Sequence, residues 1–260
     1  MMQFRYRQNL SVLLVFFFCL VASRLDAQPK DTLRVLFVGN SYTYFWNLPQ
    51  MVAAMGASRD FPMMARKSTA GGASLRQHWD GEKGLKTRQL ITQSQWDVVV
   101  IQNHSLSSID TPEEFLSYGQ KFIDLIRESG ARPMLYETWA RAYNPLMQEK
   151  ISAGYSDLGK VSTTEVAPVG QVWAQVRSLR PDLELFHEDG SHPSTAGTYL
   201  TACVFYAMLT GESPIGLADR IKITDKNGEE LYLAMMSQEN AEFLQAVVEA
   251  HILNPEHIKK

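Results

Sequence analysis

The feature that most constrains the fold is an alternation. After residue 31, short apolar runs rich in β-branched residues take turns with longer stretches of helical period. "LRVLFVG" (33–39), "WDVVVIQN" (96–103) and "RPMLYETW" (132–139) read as buried strands, with "FPMMARKS" (61–68) and "TEVAPVG" (164–170) as weaker ones. Between them, "TPEEFLSYGQKFIDLIRESG" sets Phe115, Tyr118, Phe122 and Leu125 on one helical face, with Thr111 as its cap, Pro112 in its first turn and Gly130 at its end. Further helices are predicted over residues 49–58, 147–159, 170–179, 194–210 and 237–252. Strand then helix, repeated, requires parallel strands joined by crossovers, and wholly apolar strands require cover on both faces. The expected class is therefore α/β, a parallel sheet sandwiched between helices. A polar, turn-rich stretch at 210–232 carries "ITDKNGEEL", a candidate hairpin through Asn227 and Gly228, expected as a surface excursion before the last helix.

At 260 residues and 45% hydrophobic composition the chain can bury one sizeable core. The expected organisation is a signal peptide over residues 1–27 and a single domain over 28–260. Arg5 and Arg7 precede "LSVLLVFFFCLVA" (10–22), an apolar run too short to span a bilayer comfortably, and Ala27 suits the last position before cleavage. Leu25 occupies a position where signal peptidase prefers a small residue, so a cut after Ala22 or a retained anchor stays open. Phe18 before Cys19 argues against a lipid anchor. A secreted or periplasmic protein is expected, with no stable membrane span once the signal is removed. Cys203 is then the one cysteine left, which leaves no internal disulfide and reads as a small buried hydrophobe in "YLTACVFYAML". A net charge of -3 without a Lys/Arg run argues against a nucleic-acid partner.

In open α/β sheets ligands gather at the carboxyl ends of the strands. The first strand ends in "GNSYT", which brings Ser41 to that rim; "STAGGASL" follows the second and "QNHS" the third. A serine hydroxyl is a poor nucleophile until a base takes its proton, and histidine is suited to that task. "EDGSHPSTAG" supplies His192 as base and Asp189, three residues earlier, to orient the imidazole, with Pro193 expected at the first position of the following helix. The charge that develops on a carbonyl oxygen needs fixed donors, for which the Ser41 N–H, the Gly72 N–H and the Asn103 amide are candidates. Gly71 competes with Gly72, and spacing does not choose between them.

"GNSYT", "AGGAS", "IQNHS" and "DGSHPSTAG", in that order, resemble the four signature blocks of the SGNH hydrolase superfamily, also called GDSL esterases and lipases. The resemblance runs from Gly39 to about Gly197. It implies a flavodoxin-like three-layer α/β/α sandwich, needing no metal or organic cofactor, with Ser41 as nucleophile, His192 as base, Asp189 as orienting acid and Gly72 and Asn103 as oxyanion partners. Two blocks depart from the pattern: the first has Asn40 where the family has aspartate and Tyr42 where it has leucine, and in the third Ile101 and His104 flank the retained Gln102 and Asn103.

The expected activity is serine esterase chemistry on a small-molecule or glycan ester, with carbohydrate deacetylation preferred because of the export signal, the aromatic residues near the rim and the absence of a long apolar lid. A glycan-binding protein that kept the fold and a short-chain lipase are the alternatives. Glu137 and Trp139 in "LYETWA" read equally as packing residues or as contacts to a sugar's hydroxyl and ring face. Tyr42, Tyr44, Phe45 and Trp46 form an aromatic cluster of which one or two can line the pocket; Tyr42 is taken as a substrate contact. His104 reads as a loop residue with the site as its alternative. The remaining histidines show no metal-ligand spacing.

Overall fold

The computed structural model describes residues 31–254; the predicted signal peptide lies outside them. In chain order the described elements are β1 (Leu33–Gly39), α1 (Ser41–Tyr44), α2 (Leu48–Ala57), β2 (Met63–Thr69), α3 (Leu75–Asp80), α4 (Thr87–Gln93), β3 (Val98–Ile101), α5 (Ser107–Asp110), α6 (Pro112–Glu128), β4 (Arg132–Tyr136), α7 (Met147–Ser162), β5 (Glu165–Ala167), α8 (Val169–Leu179), α9 (Thr195–Thr210), β6 (Arg220–Thr224), β7 (Glu230–Met235) and α10 (Gln238–Val248). The first five strands form one parallel sheet in the order β2-β1-β3-β4-β5, with Val35 opposite Val98 and Val98 opposite Arg132.

Strand alternation sorts the apolar side chains onto two faces. Val35, Phe37, Val98, Val100, Met134 and Tyr136 join one buried cluster with α2, α8, α9 and α10. Leu36, Val38, Val99, Ile101 and Leu135 join the other, closed by Phe115, Phe122 and Ile126 of α6 and Leu158 of α7. This is the expected three-layer α/β/α sandwich. Helix α9 lies deepest, with an unbroken buried run from Gly197 to Ala207. A helix apolar on every side has to be surrounded. Its closest approach is at Gly197, where a Cβ would meet Leu185 O at 2.2 Å and the Trp173 ring at 2.6 Å, so the lack of a side chain seats the helix start against α8 and the loop at Leu185.

Three local expectations are corrected. Thr111 occupies the cap position of α6, but its side chain does not cap the helix. Pro193 does not open α9: Ser194 is the cap, its hydroxyl accepting from Gly197 N–H, and Pro193 lies one residue outside. The hairpin β6–β7 forms as predicted, yet it is more than a surface excursion, because Ile221, Leu233 and Ala234 are buried in the first cluster.

Candidate active site

The strand order reverses between β1 and β3: from β1 the chain crosses to β2 on one side, then returns to β3 on the other. The carboxyl ends of adjacent strands diverge there and open a crevice. Ser41 follows β1 and Asn103 follows β3, so the two fall on opposite lips of it. Gly39 ends β1 because a Cβ would lie 2.4 Å from both Gln102 Oε1 and Thr43 Oγ1.

Asn40 then ties three segments together. Its Oδ1 accepts from Tyr42 N–H (3.1 Å) and caps α1, its Nδ2 donates to Ala73 O (3.1 Å) and Asn103 O (3.4 Å), and its own N–H donates to Gln102 Oε1 (3.1 Å). Two of these bonds need an amide donor, which a carboxylate lacks. That is a physical reason for asparagine at this position. Behind it, buried His78 joins the carbonyl of Gly39 (Nε2, 2.9 Å) to Thr87 Oγ1 (Nδ1, 2.6 Å), and burial brings the imidazole down to about 4. A neutral ring donating from Nε2 to Gly39 O and accepting from Thr87 satisfies both contacts.

Ser41 Oγ lies 2.8 Å from His192 Nε2, and His192 Nδ1 lies 2.5 Å from Asp189 Oδ2. The carboxylate can only accept, so Nδ1 carries the proton and Nε2 is left to accept from the serine hydroxyl. Asp189 Oδ1 accepts the N–H groups of Ser191 and His192, both at 2.9 Å. Burial pushes Asp189 up, but the His192 ring and the two backbone donors outweigh it and hold the carboxyl at about 2. The loop is clamped at its base by His187 N–H to His192 O and Ser194 N–H to Leu185 O, both 2.8 Å. Phe45 stacks on the imidazole at 4.3 Å, and Tyr42 meets it edge-on at 5.7 Å.

The donor side is laid out as a backbone and amide set. Asn103 Oδ1 accepts from Leu75 N–H (2.9 Å) and His104 N–H (2.8 Å), which fixes the amide so that Nδ2 is the uncommitted end. Gly71 and Gly72 both line the cleft with Ser41 and His192, and Gly72 has φ +62°, a conformation glycine adopts without strain. The cleft holds about 390 Å³.

Two predicted substrate contacts are corrected. Glu137 and Trp139 are each 1% exposed and neither lines this cleft. Glu137 accepts from Gln148 Nε2, Ser152 Oγ and both the N–H and Nε2 of Gln171. Trp139 is stacked between Tyr42 (4.3 Å) and Trp173 (4.0 Å) and donates to Ser191 O. Trp139 backs Tyr42 from outside the cleft, and Glu137 ties α7 to α8. Tyr42 does line the cleft, although its hydroxyl is engaged by Ser191 Oγ (2.9 Å) and Arg141 Nη1 (2.5 Å). His104 faces the same cleft, which settles its two readings in favour of the site.

Arg141 and Ser105 are cleft residues that sequence reasoning missed. Arg141 follows β4 on the same rim as Ser41 and Asn103, and that position was the available signal. Among the described residues no group of three or more His, Cys, Asp or Glu side chains is placed to hold a metal ion.

Fold and site together support one class, the SGNH or GDSL hydrolases. Particular solved structures carry the likeness. A candidate SGNH hydrolase from Slackia heliotrinireducens is 26% identical, with a TM-score of 0.60 over 69% of this chain and 100% of that one. A DUF4886 family protein from Bacteroides uniformis is 20% identical, with a TM-score of 0.70 over 87% of this chain and 96% of that one. An acetyl xylan esterase, AlAXEase, is 12% identical, with a TM-score of 0.56 over 68% of this chain and 100% of that one. The last two share the fold. No protein-family model and no curated protein matches the chain.

Proposed function

We propose that this chain is an exported serine esterase that removes acetyl groups from a carbohydrate through an acyl-serine intermediate. The observation that carries the reading is the line of hydrogen bonds Ser41 Oγ–His192 Nε2 and His192 Nδ1–Asp189, at the sheet's switch point. Ser41 Oγ attacks the ester carbonyl as its proton passes to His192 Nε2. The oxyanion is held by the N–H of Ser41, the N–H of Gly72 and Nδ2 of Asn103. His192 returns the proton to the departing alkoxide, which leaves as the sugar alcohol, and the acetyl group stays on Ser41. Water then attacks with His192 again as base, releasing acetate and restoring the serine. Asp189 keeps the ring in the tautomer that accepts from serine and balances the imidazolium.

Carbohydrate deacetylation is supported by the modest cleft volume, by the polar side chains of His104, Ser105 and Arg141 in it, and by analogy of fold with the acetyl xylan esterase. These polar groups disfavour a long acyl chain. Among the described residues no helix is long and apolar enough to cross a membrane. The test is acetate release from a small acetyl ester by the mature chain, alongside Ser41→Ala and His192→Ala. Each substitution is expected to lower kcat by about 10⁴- to 10⁶-fold. A folded protein whose rate equals that of both variants rejects catalysis in favour of glycan binding, and rates that climb from acetyl to octanoyl esters reject the deacetylase in favour of a lipase.

A further inference from the structure

The triad leaves one charged group of the cleft without a role. Arg141 is half-buried beside the nucleophile, and its partners there are two hydroxyls and a ring face: Nη1 donates to Tyr42 Oη (2.5 Å), Nη2 to Ser105 Oγ (2.8 Å), and the guanidinium lies 5.7 Å from the Tyr42 ring centre. A guanidinium carries five N–H donors, so most of its capacity is unspent. No carboxylate among the described residues forms an ion pair with it, and no aspartate or glutamate lines the cleft. Asp189 sits behind His192 and is committed to it. Lys83 adds a second positive charge at the rim, donating to Gly71 O at 2.7 Å. His104 shares the cleft, with neither ring nitrogen hydrogen-bonded among the described residues, and burial, then Arg141, keep its imidazole below the ordinary range.

A half-buried cation facing hydroxyls rather than an acid has lost part of its hydration without gaining a counter-charge. A planar guanidinium held at two nitrogens by fixed hydroxyls is also already oriented, which suits two-point binding of a carboxylate. Arg141 spans the cleft from Ser105, on the β3 side, to Tyr42, and its Tyr42 end points to the half of the ester that the anion belongs to. Arg141 is joined through Tyr42 Oη to Ser191, on the His192 side of the cleft, and His192 is the group that must deliver a proton to the departing alcohol.

We propose that Arg141 is a specificity-determining residue that binds a carboxylate on the alcohol half of the ester, so that the substrate is an O-acetylated acidic sugar of the uronate type. This rests on the deacetylase reading above.

The test compares a mono-O-acetylated methyl glucuronoside with the corresponding uronamide, which has the same shape without the charge, by acetate release. The unaltered protein is expected to favour the acid by about 10- to 100-fold in kcat/KM. Arg141→Gln is expected to bring that ratio to within about threefold of one, and Arg141→Lys to keep part of it. The ratio reads recognition rather than overall damage, and thermal midpoints confirm that the variants fold. A ratio near one in the unaltered protein, or an unchanged ratio in Arg141→Gln, overturns the proposal and leaves Arg141 a strut for Tyr42. If neither sugar is deacetylated, the carbohydrate reading has failed on its own account. Glucuronate binding by calorimetry then decides for the anion site: binding that Arg141→Gln abolishes supports it, and no binding to the unaltered protein overturns it.

Discussion

Two carboxylates stand near the carboxyl-end rim of this molecule, each at the centre of a hydrogen-bond network, and they do opposite things. Asp189 accepts three bonds, all from the loop that carries His192, and beyond that ring lies a serine hydroxyl open to the cleft. Glu137, itself buried, accepts four bonds from α7 and α8, and the hollow it shares with the exposed Gln171 is separate from the cleft of Ser41 and His192. The first network ends in unspent capacity: a hydroxyl, a free amide end on Asn103, a guanidinium. The second is closed. A closed network joins elements, whereas an open one can act on something that enters.

The sharpest way to break the comparison is to neutralise each carboxylate in turn. Asp189→Asn removes the group that fixes the His192 tautomer and is expected to cost about 10⁴ in kcat while leaving the fold in place. Glu137→Gln replaces one acceptor oxygen by an amide N–H₂ that faces other donors, so it is expected to cost about 1–3 kcal/mol of stability while kcat of the folded protein stays within about threefold. Steady-state kinetics beside urea unfolding measures both, and a large loss of kcat in the Glu137 variant at full stability would put that carboxylate back in the site.

A smaller effect isolates the donor side. Asn103→Asp keeps an acceptor for the N–H groups of Leu75 and His104 and removes the Nδ2 donor. It is expected to lower kcat by about 10²- to 10³-fold. Equal activity in this variant would strike Asn103 from the oxyanion set.

The same contrast explains what was legible in the sequence. Strands β1, β3 and β4 are apolar on both faces, and periodicity alone finds them. Helices α1, α3, α4 and α5 are four to seven residues long. Helices so short are held by caps and tertiary contacts, Ser74 and Gln77 forming a capping box at α3, rather than by a periodic face. Ser41, Asp189 and His192 were visible because their roles demand particular residue types, Ser41 after a strand end and the other two in the loop before α9, and the structure brings the three together. Glu137 and Trp139 misled because residue type and rim position were right while burial, a tertiary fact, was not. Arg141 was passed over for the reverse reason: "TWARAYN" looks like any loop with a solvated cation, and only the fold turns it into the cleft and leaves it without an acid among the described residues.

The smallest effect has opposite signs at the two carboxylates. Asp189 is held at about 2, below its unfolded value of roughly 3.9, so the stability it confers is present above that value and is lost as pH falls toward 2. Glu137 is raised by burial, which its bonds from Gln171, Ser152 and Gln148 only partly offset. Its contribution runs the other way, fully present below the unfolded value of roughly 4.3 and lost as pH rises through the raised folded one. Urea unfolding from pH 3 to 7 is expected to show the advantage of the unaltered protein over Asp189→Asn shrinking as pH falls, and its advantage over Glu137→Gln growing. If both move the same way, the two carboxylates share one electrostatic environment, and the distinction between an open site and a closed joint fails at its chemical root.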